Sequence, residues 1–190
     1  MFLPIIKKVP ADIKKKHFFN LVSIIRLRNQ INYVKLYLQS IKKVSILKNT
    51  NEELASWGKT IEEFQLPRWN LLPDIELYMD QVLTLIEKYL SPLIVQPNQK
   101  IITAAMINNY VKLGLIPAPI KKKYNRKHLA FLIAITILKQ VFTIQEIKDG
   151  ILFQASVSGI NASFNLFCDE QEQALKVVAR QATGEKSIAI

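Results

Sequence analysis

The stretch IITAAMINNYVKLGLIPAPIKKKYNR, Ile101 to Arg126, decides how this chain is read. Thr103 suits a helix N-cap, because its hydroxyl can accept a free N–H of the first turn. Ala104 to Leu113 then runs at helical spacing. Met106, Ile107, Tyr110 and Leu113 fit an inward stripe, and Ala104, Ala105, Asn108, Asn109 and Lys112 an outward one. Gly114 stands where a helix end needs a left-handed residue. Pro117 and Pro119 forbid continuation of the helix. A basic loop follows, with Lys121, Lys122, Lys123, Tyr124 and Arg126.

Working outward toward the C-terminus, Asn125 or Arg126 opens a long helix to about Val141. Its buried face is Leu129, Leu132, Ile133, Ile137 and Val141 or Leu138. Thr143 caps a further helix, TIQEIKDGILFQ, and its spacing to Glu146 is that of a capping box. Asn161 to Ala182 can form a last helix, and Gly184 to Ile190 reads as a frayed tail. Toward the N-terminus, LPDIELYMDQVLTLIEKYL predicts a helix from Pro73 to Leu90. Pro73 suits its first turn, and Asp74 and Glu76 suit the positive end of its dipole. Ile75, Met79, Val82 or Leu83, Ile86 and Leu90 keep the helical period, and Ser91-Pro92 ends it. Residues 92–102 read as a loop. Glu52 to Trp57 reads as a short helix before a connector, with Trp57, Phe64 and Trp69 as packing anchors. The fold class expected is all-α, mainly helical, with room for a short β wing after Pro119. No internal repeat or low-complexity tract interrupts it.

Composition bounds the rest. The chain has 190 residues, 49% hydrophobic and 22% charged, so one moderate domain with a real core can form. The net charge of +11 is unevenly placed. Residues 1–50 hold 11 Lys/Arg against one acid, Asp12, while residues 51–190 hold 15 against 14. The body is near neutral, and its basic character is local to 121–127. In the first fifty residues, Phe18 to Leu38 can form a basic amphipathic helix. Three readings of that segment stand side by side: a loosely attached appendage, a start placed too far upstream (with Val44 or Leu47 as the true beginning), and an arm for nucleic acid or a membrane surface.

One cysteine, Cys168, cannot close an intramolecular disulfide, so a reducing, cytoplasmic setting is expected and Cys168 reads as a small buried apolar residue. The longest apolar run, Leu129 to Leu138, is short of the ~18 residues of a spanning helix and reads as core. No membrane association is expected from it. Enzyme signals are poor. His17 and His128 are the two histidines, no Cys/His set has zinc spacing, and no Gly-rich phosphate loop is present. The expectation is no enzyme, no catalytic residue, no cofactor and no metal.

The order of capped helix, glycine turn, proline segment, basic loop and apolar helix is that of a winged helix-turn-helix, which sets a helix in the DNA major groove and a wing on the phosphates. Small residues at the helix start allow close approach to base edges. Asn can pair bidentately with adenine, and Lys with guanine or phosphate. Three or four cations in the loop can neutralise phosphates and release counterions.

MINNYVKLGLIP resembles the recognition-helix signature of the mercury-resistance regulator (MerR) superfamily, roughly T-I-R-Y-Y-E-R-L-G-L-L-P. Ile107, Tyr110, Leu113, Gly114, Leu115 and Pro117 match directly. The wing with its Tyr, and FTIQEIKD at Phe142 to Asp149, are similar to the same family. Asn108 and Asn109 stand where that family has Arg and Tyr, and its extended dimerisation helix is not obvious. A longer resemblance, over about 51–182, is to an uncharacterised bacterial family, domain of unknown function 1836. It is carried by LPDIELYMDQVLTLIEKYL, TAAMINNYVKLGLIPAPIKKKYNRKHLAFL and ILKQVFTIQEI.

These resemblances imply a transcriptional regulator that binds double-stranded DNA. The implied interface is Thr103, Ala104, Ala105, Asn108, Asn109, Tyr110 and Lys112 on the recognition helix 104–113, with Lys121, Lys122, Lys123, Tyr124 and Arg126 on the wing 120–126. Tyr110 is open between core packing and a phosphate contact. The domain plan expected is a basic extension over 1–50, a DNA-binding domain over 51–150, and a C-terminal helical dimerisation segment over 151–190. Phe153, Phe164, Leu166, Phe167, Leu175 and Val178 would supply the apolar surface of a homodimer. The alternative function is a helical protein-interaction module that keeps the fold without binding DNA. Operator, target genes, direction of regulation and any small-molecule effector are not written in the sequence.

Overall fold

The computed structural model describes residues 50–93, 100–140 and 142–182. The N-terminal extension before Thr50, Val141, the middle of the 92–102 loop and the tail after Ala182 lie outside the described residues. Among the described residues five helices carry the fold: α1 (Thr50–Glu62), α2 (Met79–Leu90), α3 (Ala104–Lys112), α4 (Arg126–Leu138) and α5 (Ile144–Ala182). One-turn 3-10 segments sit at Trp69–Leu71 and Ser91–Leu93. The protein is mainly α-helical, as expected. Among the described residues β structure is limited to two isolated antiparallel bridges, Leu77 with Tyr124 and Ile120 with Lys123.

α4 is the centre of the molecule. From His128 to Leu138 nearly every residue is buried except Phe131, which is half-buried. A helix apolar all round is a core helix, and α2, α3 and α5 pack about it. The core is continuous from Ile61 of α1 through Val82, Ile86 and Leu90 of α2 and Ile107 of α3 to Leu175 and Val178 of α5.

α5 is two arms joined at Gly159, whose backbone (φ 75, ψ 165) is a conformation essentially reserved for glycine. The separate helices expected from Thr143 and Asn161 are therefore both present, without a loop between them. The second arm returns to α1 and buries Phe164, Cys168, Leu175 and Val178. There Arg68 donates to Glu172, while its NH2 lies 2.8 Å from Asp169. The Leu66 N–H donates to the same Glu172 at 2.8 Å, and the Trp69 N–H donates to Asn165 at 2.8 Å. Burial pushes the Cys168 thiol up to about 12, so it is an inert core residue.

α5 is also long and apolar enough, by length and composition, to cross a membrane. Counting unbroken apolar residues missed this, because Ser, Asn and Gln interrupt the run. Its second arm, however, is part of the chain's own core.

Three helix boundaries differ from expectation, and the first is α4, which ends at Leu138 rather than near Val141. α1 runs to Glu62 rather than Trp57. α2 starts at Met79 rather than Pro73, because residues 74–78 are not helical: Leu77 is bridged to Tyr124 and Tyr78 is extended. Leu77 exchanges both backbone hydrogen bonds with Tyr124, at 2.7 and 2.8 Å. Helical bonding begins only at Val82 N–H to the Tyr78 carbonyl, and Gln81 caps the Tyr78 N–H at 2.9 Å. Asp74 and Glu76 therefore lie off the helix and serve other partners.

Candidate nucleic-acid interface

α3 forms as its sequence dictates at both ends. The Thr103 hydroxyl accepts the Met106 N–H at 3.3 Å. At the other end Gly114 takes φ 66, its N–H donates to the Val111 carbonyl at 3.0 Å, and the Leu115 N–H donates to the Tyr110 carbonyl at 2.9 Å. This is a Schellman cap, with buried Leu115 and Tyr110 at its apolar contact positions. Lys148 of α5 adds a cation there, its Nζ 2.8 Å from the Leu113 carbonyl, which favours the negative end of the α3 dipole.

The cap decides the faces of α3. Ile107 and Tyr110 are buried and Met106 is half-buried. Leu113, expected inward, is exposed, because the left-handed step at Gly114 turns Leu115 and Ile116 into the core in its place. On the outer face Ala105, Asn108, Asn109 and Lys112 are exposed, and Thr103 and Ala104 half-exposed. The Asn108, Asn109 and Lys112 side chains make no hydrogen bond or ion pair among the described residues.

The basic loop is a tight turn. The Lys123 N–H donates to the Ile120 carbonyl at 2.9 Å, and Lys121 and Lys122 between them take φ 50 and φ 64. Two consecutive left-handed residues are the mark of the type I′ hairpin turn, normally filled by Asn-Gly. Lysines there carry a backbone cost of roughly 1–2 kcal/mol each. Their side chains are exposed at the tip and unpaired among the described residues.

The remaining loop residues divide differently. Tyr124 is buried with Tyr110, so the structure places both tyrosines in the core and not on the outer surface. Burial raises the pKa of each. Lys123 lies 2.8 Å from a Glu76 carboxylate oxygen and 5.9 Å above the Tyr78 ring. Its pKa is raised, first by that hydrogen bond to Glu76. Arg126 donates from Nε to the Leu72 carbonyl at 3.0 Å, approaches Asp74 at 3.4 Å and lies over the Trp69 ring at 6.0 Å. Glu76, Asp74, Tyr78 and Lys148 are the site neighbours that sequence reading missed. Their partners are 35 to 52 residues away, and no local spacing announces such pairs.

His128, expected at a surface or cap, does both a capping and a core job. Its Nδ1 accepts the Asn125 N–H at 3.1 Å at the start of α4, and the ring is buried edge-on to Tyr124. Among the described residues no group of three or more His, Cys, Asp or Glu side chains could hold a metal ion.

These features define a mainly helical protein with a capped, outward-facing α3 beside a strained basic turn. The family described as domain of unknown function (DUF1836) matches residues 67–170, more than half of the chain, and the protein belongs to that family. No curated protein and no solved structure matches it. The matched span takes in α2, α3, the basic turn and α4, and ends inside the second arm of α5.

Proposed function

We propose that the protein is a transcriptional regulator that binds double-stranded DNA through a MerR-like winged helix-turn-helix. In this reading α2 and α3 are the helix pair, α3 enters the major groove, and residues 120–126, with the 120–123 turn at their tip, are the wing. The observation that carries it is the state of α3: its inner face is locked by the core, while Asn108, Asn109 and Lys112 stand exposed without protein partners. Asn and Lys are side chains that read base edges and phosphates. The Leu77–Tyr124 pairing supports the wing, because it ties the basic turn to the entry of α2. Lys121 and Lys122 would contact phosphates at the tip. Tyr110 and Tyr124 support the surface from beneath. A homodimer binding a palindromic site completes the reading.

The test is a mobility shift on the gene's own upstream region with Lys121 and Lys122 changed to Ala. Loss of the shift supports the wing, and unaltered binding removes it.

A second reading, a protein-interaction module, is favoured by one observation. Leu71, Ile75, Tyr78 and Ile120, in the segment before α2 and at the turn, are more than half exposed. Such side chains suit an apolar partner better than phosphates. Binding that falls steeply with salt favours DNA. Recovery of a stable protein partner, with no DNA bound at low salt, favours the second reading.

A further inference from the structure

Two of the wing's cations already hold counter-ions in the free protein. Because Leu77 and Tyr124 exchange both backbone bonds, Tyr78 falls opposite Lys123, and Lys123 falls opposite Ile120 on its other side. Tyr78, Lys123 and Ile120 therefore form one outward row, and Glu76 lies on the same face, two residues from Tyr78. From there the Glu76 carboxylate reaches Lys123 Nζ at 2.8 Å, and Asp74 reaches Arg126 at 3.4 Å. Both acids are well exposed, Glu76 at 60% and Asp74 at 81% of the side chain. Neither side chain has another partner among the described residues. Lys122 and Lys121, one and two residues before Lys123, have none among the described residues.

We propose that Glu76 and Asp74 are an intramolecular brake on DNA binding: they stand in for phosphate on Lys123 and Arg126, and the duplex must displace them to complete the wing contact. This rests on the DNA-binding reading above. The exchange is chemically even, one anionic oxygen for another on the same nitrogen. It is accessible because exposed ion pairs are weak in water. A carboxylate left beside an incoming phosphate is repelled by it. The wing therefore has a free pair, which meets DNA first, and a held pair, which joins only by exchange.

The experiment titrates a duplex of the gene's upstream region at low salt against the full chain and four variants: Glu76→Gln, Asp74→Asn, Glu87→Gln, and Lys121→Ala with Lys122→Ala. Glu87 is an exposed acid on α2 with no ion pair among the described residues, so its variant controls for net charge. Glu76→Gln should tighten binding roughly two- to five-fold beyond Glu87→Gln, the range an exposed pair spans. Asp74→Asn should act in the same direction with a smaller gain, since its contact is longer. If both variants equal the Glu87→Gln control while the double lysine variant loses binding, the brake is overturned and the DNA reading stands. If neither the wild type nor any variant binds DNA, both are overturned.

Discussion

His128 and Glu172 show how single titratable groups set the acid stability of this fold. His128 is 4% exposed, and burial, the largest cause, lowers its pKa, with the Pro117 and Ala118 carbonyls pushing the other way. The unfolded chain takes that proton near pH 6.5, while the folded protein resists it. Stability from neutral His128 is thus complete above about pH 6.5 and is lost as pH falls toward the lower folded value. His128→Gln, which cannot titrate, should flatten the fall of the urea midpoint as pH drops below about 6.5. An unchanged slope would clear His128 of the role. Glu172 acts in a lower window. Burial alone would raise its carboxyl, but the Arg68 hydrogen bond, the Leu66 N–H and the charges of Arg68 and Lys176 together bring it below the ordinary value. Its contribution is present above about pH 4.5 and is lost as pH falls through the folded value. Glu172→Ala strands the Leu66 N–H and leaves Arg68 with only Asp169 and the Leu66 carbonyl. It should cost about 2–4 kcal/mol in chemical unfolding, and a cost under about 0.5 kcal/mol would mean water replaces the carboxylate freely. Neither group was legible in sequence as a structural partner. Arg68 and Glu172 are 104 residues apart and carry no shared pattern, and His128 looks like any polar residue at a helix start.

At the scale of elements, what was legible is what is local. The Thr103 cap, the Gly114 turn and the Thr143–Glu146 box each satisfy a helix end within five residues. The Thr143 N–H meets Glu146 at 2.8 Å, as its spacing requires. The segment 74–78 was misread for the opposite reason. Ile75 keeps a helical period with Met79, and acids suit a helix start, yet Leu77 spends its backbone bonds on Tyr124, 47 residues on. The turn at 120–123 could be read from sequence as basic but not as strained, since Lys-Lys is not a turn signal. That strain makes a prediction. Lys121→Asn with Lys122→Gly gives the turn the residues its φ values want, and should stabilise the fold by about 1 kcal/mol or more in thermal or urea unfolding. The same change should reduce the slope of log affinity against log salt by about two, one for each lost phosphate contact. A variant that is no more stable would show that the turn relaxes without cost. One that binds DNA with an undiminished slope would show that the tip lysines serve another purpose.

For the whole molecule, the two arms of α5 differ in what they could offer a second copy in the proposed homodimer. Phe164, Leu175 and Val178, expected on a dimer surface, are buried against the chain's own α1 and core. Sequence could not separate these faces, because an apolar stripe reads the same whether its partner is a neighbouring helix or a second chain. The first arm is different. No charged residue lies between Asp149 and Asp169, and within that run Leu152 is 56% and Val157 41% exposed. Two such arms packed across a two-fold axis would each cover the other's exposed Leu152 and Val157, which lie on the arm before the Gly159 break. If the proposed homodimer forms through this arm, Leu152→Glu with Val157→Glu should convert it to monomer in sedimentation velocity. It should leave the helical content and melting of the monomer nearly unchanged, because neither side chain is in the core. Binding to a palindromic site should fall far more than binding to a half-site, since only the former draws on both copies. A variant that stays dimeric would move the interface off this arm. One that unfolds would show that the arm is held by the body of its own chain, in which case Leu152 and Val157 contribute to folding despite their exposure.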